Sequence, residues 1–145
     1  MTPLQMAVLS KELLVTKVLL KHGADVEVKG YFGYSPLHIA IYDNISLVKL
    51  LLEHGADANS PADNEIVPLI RTICRKEYGM SELLLQHGAK PDIKDRLGPA
   101  VHYAIIEEDK KTFDMILKYV ASLKIKNGYG ETPLEVALAN KLEFL

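Results

Sequence analysis

The chain has little of what most reaction centres and secreted scaffolds are built from. Of its 145 residues one is cysteine, Cys74, and none is tryptophan. A lone cysteine excludes an internal disulfide and fits a reducing compartment, so the expected location is intracellular, cytoplasmic or nuclear. The formal net charge is only −2, which gives no general pull towards nucleic acid or an acidic membrane. No apolar run approaches the ~18–20 residues of a membrane span. The start of the chain lacks the basic-then-apolar pattern of a secretion signal. What remains, 48% hydrophobic and 25% charged residues, is the make-up of an ordinary folded domain.

What is present is repetition. A short cluster recurs as TPLQMA from Thr2, SPLHIA from Ser35, VPLIRT from Val67, PAVHYA from Pro99 and TPLEVA from Thr132, in steps of 33, 32, 32 and 33 residues. A second cluster follows as KHGAD at Lys21, EHGAD at Glu53 and QHGAK at Gln86, and is degraded to KYVAS at Lys118. Two motifs in one phase predict a repeat protein. Its repeats span approximately 1–29, 30–61, 62–94 and 95–126, with an incomplete 127–145, all within one domain, 1–145.

Each copy reads as helix, turn, helix, extended loop. Ser or Thr before Pro offers an N-cap hydroxyl and a proline where a missing N–H costs little. Pro36 to Tyr42 is the first helix of the second copy, with Leu37 and Ala40 inward, and Leu47 to Leu52 belongs to the second helix. His54-Gly55 ends it, glycine supplying the left-handed C′ position. One such pair cannot enclose its own apolar stripe, so the copies are expected to stack. Ala7, Ala40 and Ala104 would let neighbouring first helices approach closely; Thr72 takes that place in the third copy. Further departures are a short inter-helix turn at Asn44-Ile45, a loop from Ser60 to Glu65 without the usual glycine, and a fourth copy ending without glycine at Tyr119-Val120. Leu142, Phe144 and Leu145 leave the end of the chain apolar.

The pattern resembles the ankyrin repeat, through Gly33-Tyr34-Ser35-Pro36-Leu37-His38-Ile39-Ala40 and Leu50-Leu51-Leu52-Glu53-His54-Gly55-Ala56-Asp57. The resemblance covers essentially the whole chain. It implies an all-α solenoid of stacked helix pairs with hairpin-like loops, whose motif histidine ties loops together. It also implies a non-catalytic protein-binding scaffold, a regulatory inhibitor of the IκB-like kind or a recruiting adaptor. The alternative is the recognition segment of a larger enzyme, such as a ubiquitin ligase, or of a signalling protein.

No catalytic, metal or cofactor site is expected. His22, His54 and His87 recur once per copy, about one helix spacing of ~8–10 Å apart, too far to share a metal with bonds of ~2.0–2.1 Å. Arg75 and Lys76 beside Cys74 would favour a thiolate, but the register puts no histidine–carboxylate pair near it. Glu107-Glu108-Asp109 reads as three carboxylates in one solvated turn, not a pair in contrasting environments. Gly30-Tyr31-Phe32-Gly33 and Gly128-Tyr129-Gly130 lack the strand–loop–helix setting of a phosphate loop.

Non-consensus positions then carry specificity. Tyr31, Phe32 and Tyr34 lie on one hairpin and Tyr42 ends the helix after it; Phe32 is the ring most suited to packing on a neighbouring hairpin. Leu9, Tyr42, Cys74 and Ile106 share one register position and should line up as an apolar strip of roughly 25–30 Å on the concave face. Lys29, Lys94 and Lys126 recur in the hairpins, beside Arg96, Leu97, Lys124 and Tyr129, with Arg75 following Cys74. This edge would suit a partner with acidic residues. Neither nucleic acid nor membrane is expected to bind; self-association through poorly capped ends remains open.

Overall fold

The computed structural model describes residues 1–95, 98–120 and 122–140. Arg96 and Leu97, and the terminal Leu142, Phe144 and Leu145, lie outside the described residues. Among the described residues the chain is all-α, with nine α-helices and no strand. These are α1 (Pro3–Leu9), α2 (Leu13–Lys21), α3 (Pro36–Ala40), α4 (Ile45–Glu53), α5 (Pro68–Cys74), α6 (Tyr78–Gln86), α7 (Ala100–Ile106), α8 (Lys110–Leu117) and α9 (Pro133–Ala139). A 3₁₀ turn covers Tyr31–Gly33. The chain divides into two compact units, Met1–Pro68 and Leu69–Leu145, each described by itself.

Local chemistry sets each boundary. Thr2 and Thr132 cap α1 and α9 by accepting the N–H of Gln5 and Glu135, each at 3.3 Å, with proline at the first helical position. Helices α2, α4 and α6 stop at His22, His54 and His87. Gly23, Gly55 and Gly88 follow with φ of 81°, 88° and 89°. A side chain would be strained in that left-handed region. The fourth copy has no such glycine, and α8 ends one residue shorter than its counterparts, on a right-handed Lys118.

The turn inside each pair also follows a rule. Lys11, Lys76 and Glu108 sit there with φ of 60°, 58° and 53°. The second copy lacks this residue; Asn44 instead accepts the Leu47 N–H at 3.0 Å and caps α4 directly. The loop without a glycine resolves similarly: Glu65 adopts φ 60° where Gly33 and Gly130 take 67° and 81°.

In the first unit α1 packs on α2 and α3, and α3 on α4. Leu4, Ala7, Val8, Leu37, Ala40, Leu47 and Leu51 are buried there. In the second unit α7 packs on α8 and α9, around Val101, Ala104, Ile105, Phe113, Ile116 and Ala137. The alanines Ala7, Ala40, Ala104 and Ala137 allow neighbouring first helices to approach, and burial of the larger residues supplies about 1.5–3 kcal/mol each.

Candidate functional site

In the first unit two buried side chains hold the loops, Gln5 the hairpin that carries the candidate residues and His38 the loop after it. Gln5 on α1 accepts the Thr2 N–H through Oε1 at 3.0 Å, while its Nε2 donates to the Val28 and Tyr34 carbonyls, each at 3.1 Å. His38 does the same from α3. The Ser35 N–H donates to Nδ1 at 3.2 Å, so the ring proton sits on Nε2, which faces the Ile66 carbonyl at 3.3 Å. Burial holds the His38 pKa below its ordinary value, with the Lys29 ammonium adding to the effect and the Ile66 and Ser60 carbonyls opposing it.

The hairpin so fixed presents its rings to solvent. Tyr31 is 77% and Phe32 75% exposed, as surface positions rather than rings packed on a neighbouring hairpin. The Phe32 ring and that of Tyr34 meet in a T-shaped pair, with centroids 6.4 Å apart. Tyr34 and Tyr42 are half-buried instead. Tyr34 stacks on His38 at 5.7 Å, and its hydroxyl lies 3.4 Å from that of Tyr42. Phe32 also has φ 59°, a conformation costing a side-chain-bearing residue about 1–2 kcal/mol. Tyr31, Phe32, Tyr34, Leu9, Gln5 and Ile39 are among the residues lining a shallow cavity of about 190 Å³. Leu9 is exposed at its rim. Lys29 is exposed and its Nζ donates to the Pro61 carbonyl at 3.0 Å.

In the second unit Cys74 and Ile106 are both exposed. Partial burial raises the Cys74 thiol pKa, and the Asp95 and Glu107 carboxylates add to this against Arg71. The thiol is therefore not activated, and Arg75, set to favour a thiolate in the sequence reading, lies 3.7 Å from Glu77. Tyr103, which sequence reasoning passed over, donates from its hydroxyl to Asp95 at 2.5 Å. Tyr129 is 79% exposed on a loop held by Asn127, whose Oδ1 accepts the N–H groups of Tyr129 and Glu131, each at 2.9 Å. Lys94, Lys124 and Lys126 are exposed.

The carboxylate turn needs a correction. Glu107 and Glu108 are exposed, but Asp109 is buried. It caps α8, accepting from the Thr112 N–H at 3.2 Å and the Thr112 hydroxyl at 2.7 Å. Burial pushes this carboxyl up, and the Thr112 and Tyr78 hydrogen bonds outweigh it and bring the pKa down. Its role is structural.

His22, His54 and His87 each place Nδ1 2.8–2.9 Å from the carbonyl four residues earlier, at the helix end. Among the described residues no group of three or more His, Cys, Asp or Glu is arranged to hold a metal. Likewise, no described helix is long and apolar enough to cross a membrane.

A surface that the sequence did not single out lies on α1 and α2. Val15 and Val18 are 48% and 55% exposed, and Met6 and Leu14 are exposed as well. Their register counterparts in α4, Leu47 and Leu50, are buried.

Comparison with known proteins agrees with this construction. The family model for ankyrin repeats, of three copies, matches residues 1–62. The chain is 31% identical over 135 residues to the ankyrin repeat protein L371 of Acanthamoeba polyphaga mimivirus, covering 88% of this chain and 17% of that protein. It is 31% identical over 149 positions to human palmitoyltransferase ZDHHC13, covering 99% and 24%. Human transient receptor potential cation channel subfamily A member 1 is 31% identical over 150 positions, covering 96% and 13%. The chain thus spans under a quarter of the length of each of these three relatives. With the loop-tying His38, the paired helices and the repeated Thr/Ser-Pro caps on the page, the chain belongs to the ankyrin-repeat family.

Proposed function

We propose that this chain is a non-catalytic protein-binding module acting inside the cell, as a regulatory inhibitor or a recruiting adaptor. Ankyrin repeats generally mediate protein–protein interaction; the finer reading rests on one observation. Phe32 holds a left-handed backbone and still exposes 75% of its surface beside an equally exposed Tyr31. Lys11, Glu65, Lys76 and Glu108 share this backbone, so what sets Phe32 apart is a large ring held bare at such a position. Tyrosine and its aromatic relatives give large contact area at low entropic cost. The partner contacts are Tyr31, Phe32, Tyr34, Tyr42 and Leu9 in the first unit. Cys74, Ile106 and Tyr129 are the candidate contacts of the second, and Lys29 in the first and Lys94 and Lys126 in the second favour acidic residues on a partner.

The test is affinity capture with the chain and with a Tyr31→Ala/Tyr42→Ala variant as control. Calorimetric titration of the captured protein follows. Tyr42→Ala or Phe32→Ala should weaken binding by about 2 kcal/mol or more. Unchanged affinity in both would remove this surface from the interface.

Two observations favour second readings. Likeness to a palmitoyltransferase supports the recognition segment of a larger enzyme. The exposed Met6, Leu14, Val15 and Val18 support self-association through α1 and α2.

A further inference from the structure

The aromatic hairpin of the first unit encloses space as well as displaying rings. Gln5, Leu9, Tyr31, Phe32, Tyr34 and Ile39 are among the residues around its cavity of about 190 Å³. That volume lies between a cavity that takes one benzene, about 150 Å³, and the roughly 300 Å³ at which sites for drug-sized ligands begin. It suits one side chain and is too small for a cofactor. Polar groups in the wall are already spent. The Gly30 N–H donates to the Tyr34 carbonyl at 2.9 Å, and the Gly30, Tyr31 and Phe32 carbonyls accept from Gly33, Tyr34 and Asp63. Both ends of the Gln5 amide are paired as well. A polar group placed there would lose its water without gaining a hydrogen bond in return. We propose that this cavity is a socket for one leucine-sized apolar side chain, presented by a partner protein on a segment with acidic residues beside it.

The acidic flank follows from Lys29, which directly precedes Gly30 in the wall. It is exposed, its Nζ donates to the neutral Pro61 carbonyl, and among the described residues it pairs with no carboxylate. Of the acids nearby, Glu27 accepts the Asp57 N–H at 2.7 Å and Asp43 is paired with Lys11. A carboxylate on the partner would complete Lys29. The walls also stand without an occupant. Tyr34 stacks on His38 at 5.7 Å, Phe32 meets Tyr34 in the T-shaped pair, and the Asp63 N–H fixes the Phe32 carbonyl at 3.0 Å. A socket built in advance spares the complex part of the ordering cost of association. The rings therefore serve as walls, and the anchor comes from the partner. This inference rests on the reading that the hairpin binds another protein, and names what it receives.

The experiment is an NMR titration of the full chain with three capped tripeptides, Asp-Leu-Asp, Asp-Gln-Asp and Lys-Leu-Lys. It follows the Leu9 and Ile39 methyls and the amides of residues 30–34. Asp-Leu-Asp should shift these signals saturably. Glutamine in place of leucine, at similar size, should weaken binding about tenfold or more. Lysines in place of the aspartates should weaken it about two- to fivefold or more. Ile39→Phe fills the cavity and should abolish the shifts. Should that variant not fold, Leu9→Phe, at an exposed position, fills it from the rim. No saturable shift, equal affinity for the glutamine or the lysine peptide, or binding that survives filling would each overturn the proposal. Shifts that follow protein concentration with no peptide present would give the socket to a second copy and overturn it likewise. The broader reading is decided separately, by capture with the Tyr31→Ala/Tyr42→Ala variant.

Discussion

The Ser81 hydroxyl donates to the Thr72 hydroxyl at 2.8 Å, and Thr72 donates on to the Leu69 carbonyl at 2.9 Å. Both residues are buried. Thr72 stands where the other first helices carry alanine, and Ser81 on α6 makes that substitution tolerable by completing its hydrogen bonding. Thr72→Ala should cost about 1–3 kcal/mol, because Ser81 loses its acceptor in a buried site. Adding Ser81→Ala should recover part of the loss, and a double-mutant cycle in urea should show coupling above about 0.5 kcal/mol.

His102 repeats the task of His38 in the fourth copy, with Nε2 2.9 Å from the Glu131 carbonyl. Among the described residues its Nδ1 is buried without a partner, because residue 99 is proline and offers neither an N–H nor a hydroxyl. Pro99 already has the extended backbone of an N-cap. Pro99→Thr should supply both groups and raise stability by about 1 kcal/mol, measured as a higher denaturation midpoint at unchanged slope.

Glu65 and Phe32 share a backbone cost but not a consequence. Glu65→Gly relieves a left-handed φ of 60° and should stabilise by about 0.5–1 kcal/mol after the entropic penalty of glycine. Phe32→Gly should raise the melting temperature likewise, yet lower affinity for the captured partner. Equal affinity would mean that the strain serves no contact.

Acid should weaken the fold through both buried histidines. The His38 and His102 pKa values are lowered from 6.5, chiefly by burial. The unfolded chain therefore binds more protons than the native one as pH falls below about 6.5. Their contribution is complete above that pH and is lost as pH drops towards the native values. Urea midpoints should decline from pH 7.5 to 5.5, and less so in a His38→Gln/His102→Gln variant.

Self-association through α2 is open to a direct measurement. Val15→Glu/Val18→Glu introduces charge on exposed positions and should leave stability within about 0.5 kcal/mol. It should abolish any concentration-dependent sedimentation. A monomer at every concentration, with or without the substitutions, would end that reading.

Much was legible in the residues themselves, since repeat period, caps and glycine stops are encoded locally. The Thr/Ser-Pro starts and the glycines after α2, α4 and α6 lie where the pattern puts them. The aromatic hairpin was also visible, as a concentration of rings at a variable position. The burial of Asp109 was hidden, because only the packing of Tyr78 and Thr112 around it separates it from Glu107 and Glu108. Which ring of the hairpin stays bare was hidden too. It depends on Tyr34 stacking against His38, a contact made possible by the fold.

The amino-acid order alone determined that this chain forms helix pairs in register, because a period of about 33 residues and its capping chemistry act within a few residues of sequence. Only tertiary structure decided what each matching position does. It left Val18 bare where Leu50 is sealed, matched Thr72 with Ser81, and left His102 half-satisfied where His38 is complete. Those outcomes depend on which side chains face each other across neighbouring elements, and burial and hydrogen-bond partners are properties of that meeting.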